Sequence, residues 1–136
     1  AMYLALVEEF WWESTYVAKN LRRGELLPAK YSLESVMKMD LLVRMLEWRV
    51  ECDYGWAFKP GNLGRGLRQR LDSATWSELE STFAGGGIVE NWQALERTAA
   101  LFRRIAWEVG ERLSYSYPQE LEEGVRGYWE HLKGEA

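Results

Sequence analysis

IVENWQALERTAALFRRIAWEVGERL, residues 88–113, decides the fold. Its apolar positions Ile88, Trp92, Leu95, Ala99, Phe102, Ala106, Val109 and Leu113 alternate in steps of three and four, the spacing that keeps one stripe on one side of an α-helix. A stripe sustained over the whole stretch predicts the central helix of a bundle, and Gly85-Gly86-Gly87 breaks the chain just ahead of it. Beyond it, Pro118 opens a last amphipathic helix carrying Leu121, Val125, Tyr128, Trp129 and Leu132. Before it, Asp72 or Ser73 caps a short helix with Trp76, Leu79 and Phe83, and a short basic helix is expected at about Arg65 to Leu71. Asp53 to Gly66 is the longest irregular stretch, in which four glycines and a proline alternate with large side chains. It is either a functional loop or a cover that packs Trp56 and Phe58 over the core.

Further toward the N-terminus, a second helix is predicted from about Pro28 through Cys52. Its apolar positions include Leu33, Val36, Met37, Leu41, Met45 and Trp48, in a loose register. A first helix runs from about Met2 to Arg23, with Gly24 just past its end. On that helix Leu4, Val7, Trp11, Ala18 and Leu21 gather on one side, while Glu9, Trp12, Tyr16 and Lys19 gather nearly opposite. One apolar stripe suffices to hold a helix in a small domain, so a second stripe of rings between a carboxylate and an ammonium points to a surface built to hold something. Trp11 and Trp48 read as core. No segment shows a sustained period of two, and no internal repeat appears. The expectation is an all-α, up-and-down helical bundle formed as one domain over residues 1–136, with three long helices and two or three short ones.

Composition narrows the partners. Eight Trp and seven Tyr are an over-supply of rings, and a net charge of -4 with pI near 5.2 disfavours nucleic acid, whose phosphates want a basic field. Cationic ligands suit such a chain better. The single Cys52 has no partner for a disulfide or a thiolate metal site, and the lone His131 adds no metal case. A reducing, cytoplasmic setting is the simplest reading, with no membrane association, because no run of about 18 apolar residues exists. One His and one Cys, neither near a motif, assemble no nucleophile set.

Glu9-Phe10-Trp11-Trp12, Thr15-Tyr16-Val17-Ala18-Lys19, and Leu42 to Val50 with its Arg44-Met45 and Trp48-Arg49-Val50 carry a resemblance. Asp53-x-Gly55, Trp76, Glu90-Asn91-x-x-x-Leu95, Leu101-Phe102-Arg103 and Tyr115-x-Tyr117-Pro118 extend it over nearly the whole chain. Together they resemble the carboxy-terminal helical domain of the aminoglycoside 6-adenylyltransferase, or streptomycin adenylyltransferase, family. The Tyr16-x-x-Lys19 spacing is also similar to the first helix of the substrate-binding domain in kanamycin nucleotidyltransferase. There a Glu four residues before the Lys acts as base, whereas Thr15 stands at the matching position here. That departure leaves the base position unfilled, and Glu9 or Glu13 on the same helix is the candidate base.

The resemblance implies a nucleotidyltransferase substrate-binding-domain-like bundle and, for the full-length enzyme, transfer of AMP from Mg-ATP to a streptomycin hydroxyl in antibiotic resistance. Enzymes of that class carry a Gly-Ser turn followed by an Asp-x-Asp pair. This sequence contains neither, and Glu51-Cys52-Asp53 at a helix end is its nearest approach. Nucleotidyl transfer depends on metal ions to neutralise developing charge, so this chain alone is expected to hold no cofactor and to be inactive. It reads as a substrate-recognition domain partnered by a nucleotidyltransferase domain in cis or in trans. The alternative is a stand-alone, non-catalytic helical subunit whose Trp12/Tyr16 face binds a separate nucleotidyltransferase protein.

A streptomycin-like polycation needs carboxylates for charged hydrogen bonds and flat rings to stack on. Glu9, Glu13, Trp12 and Tyr16 offer both on one stretch of helix. Glu47, Glu51 and Asp53 either line a facing wall or form a solvated helix face. By the resemblance, Lys19 reaches the nucleotide's phosphates; by position alone it is a lysine near a helix C-terminus. Arg65, Arg68 and Arg70, with Lys59, either meet phosphates or pair with Glu78 and Glu80.

Overall fold

The computed structural model describes residues 2–56 and 62–134, and every regular element among them is helical. Helix α1 spans Met2–Arg22. It stops where Gly24 turns left-handed at φ 74°, with its N–H on the Leu21 carbonyl and the Glu25 N–H on the Asn20 carbonyl. A residue with a Cβ is strained in that conformation. The reversal leads into α2 (Leu26–Lys30), which continues without a break through a π-helical stretch, Tyr31–Leu42, into α3 (Val43–Asp53). At the end of the wide stretch the Val43 N–H reaches five residues back to the Lys38 carbonyl. The wider turn explains the loose register in the sequence. Buried positions fall at Ser32, Leu33, Met37, Lys38, Leu41 and Leu42, separated by fours and fives rather than by threes and fours.

A 3₁₀ turn (Asn62–Gly64) and two short helices, α4 (Leu67–Arg70) and α5 (Ser73–Glu80), carry the chain back. Asp72 caps α5, accepting from the Thr75 N–H at 3.1 Å and the Thr75 hydroxyl at 2.7 Å. Helix α6 (Ile88–Leu113) occupies the centre, packed by α1, α3, α5 and the π stretch, and α7 (Gln119–Gly134) lies along α1. Phe10 and Phe102 stack with ring centroids 3.7 Å apart where α1 crosses α6, both fully buried. Tyr3 ties the same seam by donating to the Ala106 carbonyl at 2.7 Å. Against α7, Trp11 packs on Trp129, and the Trp129 indole donates to the Ser14 hydroxyl at 3.1 Å.

The core face of α1 differs from the expected stripe. Tyr3, Leu6, Val7, Phe10, Trp11, Ser14, Val17, Ala18 and Leu21 are buried, whereas Leu4 is 42% exposed. Val7, Trp11, Ala18 and Leu21 are buried as expected, but because α1 is enclosed by the π stretch, α6 and α7, its buried arc shifts toward Phe10 and leaves Leu4 at the edge. Trp11 is core as expected, and Trp48 is half-buried against it. Trp56 is exposed with φ 65°, so it does not seal the core, and Phe58 lies outside the described residues.

Lys38 is the charged side chain fully inside this packing. Burial lowers its pKa, but Glu34 at 2.7 Å, the Thr82 carbonyl at 3.1 Å and the Phe83 ring at 3.8 Å surround its ammonium. A buried cation persists only with such partners. Through it the π stretch holds the segment that leads from α5 into α6.

Candidate functional site: a groove between the first and last helices

Trp12 lies opposite the buried arc of α1 and is 58% exposed; Tyr16, one turn on, is 50% exposed. Trp12, Thr15 and Lys19 form one wall of a groove of about 390 Å³. Glu120, Leu121, Gly124, Val125 and Tyr128 of α7 form the other. A Cβ placed on Gly124 would meet nothing within 4 Å, so the absent side chain leaves the groove open. Glycine inside a helix costs roughly 0.5–1 kcal/mol relative to alanine. Lys19 stands over the Tyr16 ring at 4.9 Å, which places its ammonium between that ring and the groove. The Thr15 hydroxyl donates back to the Trp12 carbonyl at 2.6 Å.

The residues singled out in the sequence divide here. Trp12 and Lys19 line the groove, and Tyr16 borders it through Lys19. Glu9 is exposed and Glu13 half-buried. At 100° per residue, Thr15 lies about 60° from Trp12 on the groove side, while Glu13 lies about 100° away on the other side. The carboxylate that shares the groove with Trp12 is instead Glu120, contributed by α7.

Glu47 and Glu51 sit on α3, half-buried and in no hydrogen bond or close ion pair among the described residues, although the Arg44 charge acts on Glu47. Burial, then the Glu51 charge, raises the Glu47 pKa, and burial raises that of Glu51. Asp53 at the end of α3 accepts from Arg112 at 2.9 Å and Arg49 at 3.0 Å, which hold its carboxyl below the usual range. It belongs to a cleft between α3, α5 and α6 in which Arg49 also meets Glu108 at 2.9 Å, and Arg104 meets Glu78 at 2.7 Å and Glu108 at 3.0 Å. None of these three carboxylates lines the α1/α7 groove. In the basic cluster, Arg68 stacks over Trp76 and Arg70 over Tyr54, each at 5.5 Å, while Glu78 is taken by Arg104. Lys59 lies outside the described residues.

Sequence reasoning missed Glu120, Tyr128 and Gly124 as groove residues. The signal was present only as the polar side of an amphipathic helix, and its juxtaposition with Trp12 requires α7 to lie alongside α1. Among the described residues no group of three or more His, Cys, Asp or Glu side chains is placed to hold a metal ion. No described helix is long and apolar enough to cross a membrane.

A family model described as streptomycin adenylyltransferase matches residues 1–132. The chain belongs to that family. It is 38% identical over 124 residues to an aminoglycoside 6-adenylyltransferase of Bacillus subtilis (strain 168), covering 91% of this chain and 43% of that protein. An aminoglycoside 6-adenylyltransferase of Campylobacter jejuni is 34% identical over 110 residues, covering 81% of this chain and 38% of its own length. The crystal structure of an aminoglycoside 6-adenyltransferase from Bacillus subtilis superposes with a TM-score of 0.87 at 34% identity, over 96% of this chain and 49% of that one. The chain thus spans less than half the length of these curated family members, and its bundle is an architecture the family uses.

Proposed function

We propose that this chain is the aminoglycoside-recognition portion of an adenylyltransferase that transfers AMP from Mg-ATP to a streptomycin hydroxyl. The observation that carries the reading is the α1/α7 groove, where Trp12, Tyr128 and Glu120 combine aromatic faces with a carboxylate. Rings stack on guanidinium and sugar faces, and a carboxylate accepts charged hydrogen bonds from a polycation. Lys19 at the same groove meets the nucleotide's phosphates as a point charge. In this reading magnesium and triphosphate belong to a partner nucleotidyltransferase domain, which carries the Gly-Ser turn and Asp-x-Asp pair that this sequence does not contain. Glu9 and Glu13 remain the candidate bases on α1, since the resemblance sets Thr15 at the base position. A base must come within hydrogen-bond reach of the attacking hydroxyl, and Glu120 is the acid already in the groove.

Titration calorimetry with streptomycin tests this. Binding in the micromolar to millimolar range that weakens with added salt is expected. Trp12→Ala and Glu120→Gln each weaken it about tenfold, in line with the loss of one desolvated stacking or charged hydrogen-bond partner. Gly124→Leu, which fills the open floor, abolishes it. No heat of binding, or binding indifferent to all three substitutions, rejects the reading.

A second reading rests on the exposure of Trp12 and Tyr16, one turn apart on α1. Contiguous exposed apolar surface marks an interface, and here the occupant is a separately encoded nucleotidyltransferase chain. Stable co-elution with such a chain, together with no affinity for streptomycin, selects it.

A further inference from the structure

We propose that a second cavity, between the C-terminal end of α6 and the turn into α7, is an aromatic cage for a small organic cation of the guanidinium or alkylammonium class. It is independent of the groove reading. The cavity measures about 350 Å³ and is lined by Trp107, Glu111, Tyr115, Ser116 and Tyr117. Three rings and one carboxylate around a space of that size are the elements that recognise a cation by its charge and flat shape.

The cage is built in from the backbone upward. Ser114 turns left-handed at φ 64°, and the Tyr115 N–H then donates to the Gly110 carbonyl at 2.8 Å. This folds the Tyr115–Tyr117 segment back onto α6. A Cβ on Gly110 would stand 2.8 Å from the Tyr115 carbonyl oxygen and from the Tyr3 hydroxyl, so the fold-back needs glycine there. Each ring is then fixed by a separate contact. Tyr115 stacks on Tyr3 at 5.1 Å and 9°. Tyr117 accepts from the Trp11 indole and donates to Glu122, each at 2.8 Å. Trp107 leans on Tyr117 with centroids 5.5 Å apart. Rings immobilised by their surroundings lose little freedom when a ligand arrives.

The charge pattern decides the ligand. Elsewhere this chain answers its own rings with its own cations: Lys133 stands over Trp92, Arg68 over Trp76, and Arg126 over Trp11 and Trp129. At the cage Arg103 likewise covers one side of Trp107 at 5.3 Å while paired with Glu122 at 3.0 Å; what differs here is the carboxylate. Glu111, one turn along α6 from Trp107, has no cationic partner among the described residues. Trp107 and Tyr115 nevertheless remain 40% and 46% exposed. An external cation would supply the charge Glu111 lacks and cover both rings.

The test follows the eight tryptophan indole N–H signals by ¹H–¹⁵N NMR while methylguanidinium chloride is added at constant ionic strength. Trp107→Phe identifies the Trp107 signal. Expected is a saturable shift of that signal, about three- to fivefold weaker in Glu111→Gln and absent for neutral urea, as for a cation–π contact at a partly exposed site. Gly110→Ala, which displaces the Tyr115 segment without touching a lining ring, also weakens it. Trp12→Ala leaves it unchanged, which separates this site from the groove whatever the fate of the streptomycin reading. A Trp107 signal that moves no more than with sodium chloride overturns the proposal. So does saturation that Glu111→Gln leaves intact.

Discussion

Trp11 and Trp12 are neighbours on one helix and occupy opposite physical situations. Trp11 is fully buried, donates its indole N–H to Tyr117 and carries Arg126 over its ring. Trp12 is more than half exposed and faces an open groove, and its indole takes no cation or hydrogen bond among the described residues. The same contrast recurs at larger scale. In the cleft between α3, α5 and α6, Arg49, Arg104 and Arg112 each meet an acid of this chain. At the groove and the cage, rings stand beside Glu120 and Glu111, which take no partner among the described residues. Charges that the chain answers itself serve the fold. Carboxylates left unanswered beside exposed rings mark where something else is meant to arrive.

The largest expected effect tests the first half of that statement. Trp11→Ala opens a cavity between Phe10, Trp129 and Tyr117, and truncation of a buried Trp costs about 3–5 kcal/mol. Trp12→Ala removes an exposed ring and stays within about 0.5 kcal/mol of the parent. Urea unfolding of the two variants checks both. A Trp12→Ala loss comparable to that of Trp11→Ala would mean that Trp12 serves the fold, and the contrast would collapse.

How much of this was legible follows from where each constraint resides. Helix α6 could be read residue by residue because its stripe faces neighbours on a regular 3.6-residue period. The cap at Asp72 is a local side-chain bond and was legible for the same reason. The π stretch was visible only as loose register, since a wider turn imitates a weak helix pattern. Of the α1 stripe, Val7, Trp11, Ala18 and Leu21 were legible and Leu4 was not, because the partners of α1 shift its buried arc toward Phe10 and leave Leu4 at the edge. The groove was half legible: Trp12, Tyr16 and Lys19 are displaced from the core by helix geometry alone. Glu120 and Tyr128 lie more than 100 residues along the chain from Trp12, and no local pattern announces that pairing. The cage was hidden because it depends on one left-handed serine.

A middle-sized effect probes an answered charge beside the cage. Glu122 is buried and receives Arg103 at 3.0 Å, Arg126 at 2.7 Å and the Tyr117 hydroxyl at 2.8 Å. Burial, and then this carboxylate, push the Tyr117 hydroxyl far above its usual pKa. Glu122→Ala strands the buried hydroxyl and frees two guanidinium groups, for a loss of about 1–3 kcal/mol, as for a buried hydrogen-bonding group deprived of its partner. Glu122→Gln, which still accepts from Tyr117, recovers part of it. Thermal melts of the pair decide the point; equal losses would show that the charge facing Arg103 and Arg126, rather than the shape or the Tyr117 hydrogen bond, matters there.

The smallest effect concerns an unanswered charge that the groove does not use. Burial, followed by the neighbouring Glu51 charge, raises the pKa of Glu47 above its ordinary 4.5. A raised carboxyl binds its proton more tightly in the folded chain, so wild-type stability rises as pH falls from neutral through that raised value. The gain is complete below the unfolded value near 4.5. Asp53 has the opposite sign: its depressed pKa contributes stability above its unfolded value of 3.8, lost as pH falls through the folded one. Glu47→Gln removes the penalty for a half-buried charge. Its melting temperature therefore exceeds that of the parent at neutral pH, and the advantage fades as pH approaches 4.5. An advantage that persists unchanged at acid pH would assign the effect to packing. No advantage at neutral pH would mean that water or a mobile cation already answers Glu47, placing α3 with the self-sufficient regions. If streptomycin lowers the pH at which the advantage fades, Glu47 contacts the ligand after all, and the recognition surface extends beyond the α1/α7 groove.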